Sequence, residues 1–82
     1  MPFTYVLRCA DGMLYTGWTV DLERRLRAHQ AGRGSRYTRA RLPVSLVYSH
    51  KHATPQDARR QEAAIRRLPR RKKLEFIRNT TS

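Results

Sequence analysis

Acidic residues are scarce in this chain. Six Asp and Glu stand against eighteen Lys and Arg, a net charge of +12 in 82 residues. Cysteine is scarcer still: Cys9 alone excludes an internal disulfide, and its spacing to His50 and His52 matches no standard zinc framework. No apolar run approaches the 18 or more residues of a membrane span, and the start, MPFTYVLRCADG, lacks the apolar core of a signal peptide. A reducing cytosol is the expected setting. The length suits one small domain with a thin core, so little of the chain is left over for a second site.

The basic excess itself is mostly arginine, fifteen of the eighteen. A guanidinium donates two parallel hydrogen bonds to a phosphate and keeps its charge at every physiological pH. A domain with this field binds polyanions at low salt, and charge alone favours a plain nucleic-acid binder over an enzyme.

The patterning predicts the order β-β-α-β-α-α, an α/β (α+β) domain whose three-stranded sheet is flanked by helices. FTYVLRC is rich in β-branched and aromatic residues, Asp11-Gly12 is a tight-turn signal, and LYTGWT returns as the second strand. Tyr5 and Leu7 share one face of the first strand; Met13, Tyr15 and Gly17 share one face of the second. A glycine inside a strand marks a bulge or a close approach by backbone or ligand.

Thr19 is the expected N-cap of a helix ending near Gln30, with Leu22 and Leu26 as its apolar stripe and Gly32 as its stop. Arg25 and His29, four apart, share a face beside that stripe. The stretch GRGSRYTRARLP reads as a basic loop with room for one helical turn. A third strand is expected from Val44 to Ser49, with His50, Lys51 and His52 in the connection that follows. Thr54-Pro55-Gln56-Asp57 is a helix start, with Ala58, Ala64, Ile65 and Leu68 facing inward. Pro69 breaks that helix. A last helix is expected from Arg70 to Ile77, packing through Leu74, Phe76 and Ile77, with a flexible tail from residue 78 to 82. The single domain therefore has its core over about 3–77.

Of the six acids, five have local explanations. Asp11 sits in a turn, Asp21, Glu23 and Asp57 lie near helix starts, and Glu75 has Arg71 and Lys72 in reach. Glu62 is mid-helix at the margin of the inward stripe. An ion pair with Arg66, worth a few tenths of a kcal/mol, is the favoured reading on helix position alone. A carboxylate beside a phosphate-attracting surface also suits Mg²⁺, which takes one or two carboxylates with waters and substrate phosphate. The tyrosines are equally open: Tyr5 and Tyr15 as core or chemistry, Tyr37 as a base-stacking ring or a cover for the sheet.

Together these spacings resemble the GIY-YIG nuclease superfamily, in its stand-alone single-domain bacterial form, over about Phe3 to Ile77. The second motif, usually Tyr-Ile-Gly, stands as Tyr15-Thr16-Gly17. The first, usually Gly-Ile-Tyr, stands as Phe3-Thr4-Tyr5 and keeps only its tyrosine. The family's helical arginine falls on Arg25, its His-or-Tyr position on His29, and its metal-binding glutamate on Glu62 within QEAAIRRL. Phe3 replaces the motif glycine, and PRRKKLEF offers no asparagine where the family often has one.

The resemblance implies divalent-metal-dependent phosphodiester hydrolysis, with DNA as the expected substrate and repair or recombination as the setting. Glu62 would hold one Mg²⁺ or Mn²⁺ ion. Tyr5, Tyr15, Arg25 and His29 would carry the chemistry, with Gly17 as the close-approach glycine. Arg33, Arg36, Tyr37, Arg39, Arg41, Lys72 and Lys73 are the expected nucleic-acid contacts, and a protein partner is the expected source of specificity. The competing expectation is a non-catalytic binding module on the same scaffold.

Overall fold

A computed structural model describes residues 1–81. The elements are β1 (Phe3–Arg8), β2 (Leu14–Thr19), α1 (Leu22–Gln30), α2 (Arg36–Arg39), β3 (Ser45–Lys51), α3 (Pro55–Arg67) and α4 (Arg70–Thr81). The sheet runs β2-β1-β3 with both pairings antiparallel, so β1 is central. This is the expected three-stranded α+β architecture.

Because β1 is central, its alternate residues feed two cores. On one face Tyr5, Leu7, Cys9 and Val44 pack with Tyr15, Leu22, Leu26 and Tyr37. On the other, Val6, Tyr48 and Ile65 pack with Leu14, Val47, Phe76 and Ile77. Helices α1 and α2 cover the first face, α3 and α4 the second. A register shift between Val6 and Leu7 sets Val6 opposite Tyr48 but Leu7 opposite Leu46, leaving Val47 as the extra residue of β3.

The β1–β2 turn forms as its sequence predicts. Gly12 takes φ +85°, and the Met13 amide donates to Asp11 Oδ1 at 3.0 Å. The resulting register sets Tyr5 opposite Gly17 and Leu7 opposite Tyr15. Helix α1 starts differently from expectation. Asp21, not Thr19, is the N-cap and accepts from the Arg24 amide at 3.1 Å. Thr19 ends β2, and its hydroxyl accepts from the Asp21 amide. The carboxylate wins the cap because it adds a negative charge at the positive end of the helix.

Other boundaries move as well. Strand β3 extends through His50 and Lys51, which the sequence placed in the connection. Ala64 and Leu74 face solvent rather than the core. Helix α4 continues through 78–81, so the expected tail is helical as far as Thr81; Ser82 lies outside the described residues.

Helix α3 is tied to the sheet by a polar network absent from the sequence reading. The Thr4 hydroxyl donates to the Ala58 carbonyl at 2.8 Å, and His52 Nε2 lies 3.0 Å from that hydroxyl and 2.8 Å from Gln61 Oε1. The Gln61 amide donates to the Tyr48 hydroxyl at 2.8 Å. With Ala58 and Ile65 buried either side of this network, the rotation of α3 is set, and Glu62 is carried to the rim of the sheet. Replacing Ile65, 2% exposed, by Ala is expected to cost about 2–5 kcal/mol in urea unfolding, since the cavity lies between two elements that cannot collapse onto it.

Candidate active site

Tyr5 projects from β1 toward α1, and its hydroxyl lies 2.9 Å from His29 Nε2, a bond buried between strand and helix. His29 is 0% exposed. Four residues apart still aligns Arg25 and His29 on α1, but the histidine points into the core. On its far side His29 Nδ1 lies 2.8 Å from Thr38 Oγ1, and Thr38 is held by Ser35, whose hydroxyl and carbonyl lie 3.0 and 3.4 Å away. Tyr15 closes the cluster, with its ring centre 5.1 Å from the imidazole and 6.4 Å from Tyr5.

Two glycines make room for these rings. A Cβ at Gly17 would stand 2.5 Å from Tyr5 Oη and 2.7 Å from Cζ. The close approach expected at this glycine is made by the Tyr5 ring lying across β2. Gly34, absent from the expected site, does the same for His29: a Cβ there would overlap the imidazole. Its signal was the Gly-Ser-x-x-Thr run opening α2, legible as a helix start but not as a lid over a histidine.

Burial pushes the Tyr5 phenol above the usual tyrosine range. Nearby Arg25 pulls it down and the charges of Tyr15 and Glu62 push it up, but burial outweighs the rest. The positive charge of Arg25 does not offset that burial. Burial, assisted by the Arg25 charge, also holds His29 below the usual imidazole value, so the ring is neutral at pH 7. Arg25 reaches the Gly34 carbonyl at 3.4 Å, while its buried Nε–H has no hydrogen-bond partner among the described residues.

Glu62 approaches from the opposite face of the sheet, near enough for Tyr5 to feel its charge. Its side chain is 19% exposed and pairs loosely with Arg66 at 3.6 Å, the ion pair the sequence favoured. Arg66 also donates to the Thr16 carbonyl at 3.2 Å. The site therefore straddles the open edge of β2, with Tyr5, His29 and Arg25 on one side and Glu62 on the other.

Along the same edge runs a groove of about 350 Å³ lined by Leu14, Tyr15, Thr16, Tyr37, Arg66 and Lys73. Lys73 thus joins the site; Lys72 instead pairs with Glu75 at 3.9 Å. Arg41 is also occupied: it lies 4.0 Å from the centre of the Tyr37 ring, 3.1 Å from Asp11 Oδ2, and donates to the Tyr37 carbonyl at 3.0 Å. Arg33, Arg36 and Arg39 are exposed around α2. Cys9 is buried in the first core, apart from the His50–His52 ring pair, so the weak zinc arrangement does not assemble.

The GIY-YIG catalytic domain matches residues 1–75. The chain belongs to the GIY-YIG family. A UPF0213 protein of Streptococcus sanguinis is 48% identical over 79 residues, spanning 96% of this chain and 91% of that one. Another, from Streptococcus agalactiae, is 51% identical over 92% of this chain and 85% of its own length. Among solved structures, the UPF0213 protein BH0048 of Bacillus halodurans matches with a TM-score of 0.67 at 37% identity, covering the whole of this chain and 88% of that one. GIY-YIG membership points to nuclease activity and nucleic-acid binding. No helix among the described residues is long and apolar enough to cross a membrane.

The donor set fits a single divalent ion of the kind GIY-YIG nucleases use. Among the described residues no three His, Cys, Asp or Glu side chains gather. One half-buried carboxylate beside a basic groove suits a cation that keeps its waters and shares phosphate oxygens, and does not suit a closed zinc site.

Two outcomes follow from this geometry. Gly17→Ala and Gly34→Ala should each lose about 1–3 kcal/mol of stability in urea, because a ring must move off its seat. The second concerns pH. His29 binds its proton less well folded than unfolded, so unfolding takes up protons below about pH 6.5. Stability should be full above that pH and fall as pH drops toward the lower folded value, and His29→Gln should flatten that slope.

Proposed function

We propose that this domain hydrolyses phosphodiester bonds in nucleic acid, DNA in the first instance, with one Mg²⁺ or Mn²⁺ ion held at Glu62. The observation that carries the proposal is the convergence on one phenol: Tyr5 is hydrogen-bonded to a neutral histidine and senses both Arg25 and Glu62. Bound at Glu62, a divalent ion would neutralise the scissile phosphate and the departing oxygen.

Burial favours the neutral phenol at Tyr5, so the route we propose is a relay, which needs no standing phenolate. An attacking water gives its proton to the Tyr5 oxygen as the Tyr5 proton passes to His29 Nε2. The imidazolium later returns that proton to Tyr5 through the same bond as the phenol passes its own proton on to solvent. Arg25 supplies a positive charge to the phosphoryl oxygens as negative charge builds. Lys73, Arg66 and the exposed arginines of α2 hold the backbone of the nucleic acid along the β2 edge, sequence-independently and with strong salt dependence. Selection of one DNA structure over another falls to a protein partner.

Nicking and cleavage of supercoiled, branched and single-stranded DNA, with Mg²⁺, Mn²⁺ or EDTA, tests this. Wild type should cut only with metal. Arg25→Ala should lose about 100-fold or more in rate, and Glu62→Ala should lose cleavage while still retarding DNA on a gel. Retardation without cutting, equal in wild type and Glu62→Ala, would make the domain a binding module.

A further inference from the structure

A relay through His29 needs a lone pair on Nε2, and neutral imidazole has only one; the other nitrogen carries the proton. Nothing on the Tyr5 side decides which, because a tyrosine hydroxyl both donates and accepts. The decision falls on the other side of the ring, at Thr38.

Thr38 is 0% exposed and sits in α2, whose N-cap is Ser35. The Ser35 hydroxyl is 3.1 Å from the Thr38 amide and accepts from it, closing the cap. The Thr38 hydroxyl in turn points at the Ser35 carbonyl, three residues back, at 3.4 Å. A carbonyl only accepts, and a helical threonine commonly bonds its own i−3 carbonyl in this way. With its proton directed at either Ser35 oxygen, the hydroxyl at 3.0 Å or the carbonyl at 3.4 Å, Thr38 Oγ1 turns a lone pair to His29 Nδ1 at 2.8 Å, and the bond then needs the proton on Nδ1. Gly34 lets the ring sit close enough for this bond.

We propose that Thr38 is a positioning residue that sets the tautomer of His29: it holds the proton on Nδ1 and so leaves Nε2 free to take the proton of Tyr5. The four-residue α2 is on this view the orienter of the site, although its exposed arginines had marked it as a nucleic-acid contact. The inference rests on the relay proposed above for its consequence in catalysis, but the tautomer itself stands or falls independently of cleavage.

The test reads the two separately. Imidazole ¹⁵N shifts and two-bond ¹H–¹⁵N couplings report which nitrogen of His29 is protonated at pH 8. Wild type should show Nδ1–H. Thr38→Val, close to threonine in shape but unable to accept, should move the proton to Nε2, and Thr38→Ser should keep it on Nδ1. In the DNA-cutting assay Thr38→Val should lose about 100-fold in kcat with little change in KM, and Thr38→Ser should recover most of it. Wild-type protein protonated at Nε2 overturns the proposal without any variant, and so does Thr38→Val with the proton still on Nδ1. If the tautomer follows Thr38 but no form cuts DNA with any metal, the positioning role holds and the nuclease reading fails.

Discussion

The bond between Tyr5 and His29 joins the central strand to α1, and most of the site's geometry depends on it. It is buried, so neither partner can exchange it for water without a large desolvation cost. In an 82-residue domain with a thin core, such a polar pair is expensive unless every group on it is satisfied. Here Thr38 takes the second histidine nitrogen and Ser35 holds Thr38. Gly17 and Gly34 remove the two side chains that would collide with the rings. Strand, helix and loop are thus constrained around one hydrogen bond, and the same constraint shapes the chemistry: burial that keeps Tyr5 protonated also keeps His29 neutral and able to accept.

Charge works differently. Most of the basic residues lie on the surface, where ion pairs add little to stability and chiefly set a field. Some are diverted from that field by the few acids available: Arg27 pairs with Glu23, Arg41 with Asp11 and Lys72 with Glu75. Glu62 is paired too, but loosely and at the rim of the sheet, where a cation could replace Arg66 as its partner.

The elements were legible because they rest on local rules. Asp-Gly turns, Thr-Pro helix starts and alternating apolar residues depend on neighbours in sequence, and the hairpin, α3 and the sheet followed from them. Boundaries moved where a second local option existed: Asp21 displaced Thr19 as a cap because a carboxylate suits a helix start better. The roles proposed for Tyr5, Arg25, His29 and Glu62 came through the spacing of the GIY-YIG motifs, not through composition or periodicity. The ties of Arg41 to Asp11 and the Tyr37 ring were not legible in the sequence, because they join separate segments.

What the sequence by itself determined is the order of elements, the basic field and the candidates for chemistry, since each arises within a few residues or from composition. Only the tertiary structure decided what those candidates touch. A buried histidine and a solvated one have the same spacing to Arg25, and helix periodicity cannot separate them. The separation required β1 to lie beneath α1, α2 to fold over the imidazole, and two glycines to stand where rings needed space. Distances across 24 residues for Tyr5–His29, and across 9 for His29–Thr38, are set by packing, and packing is a property of the whole chain.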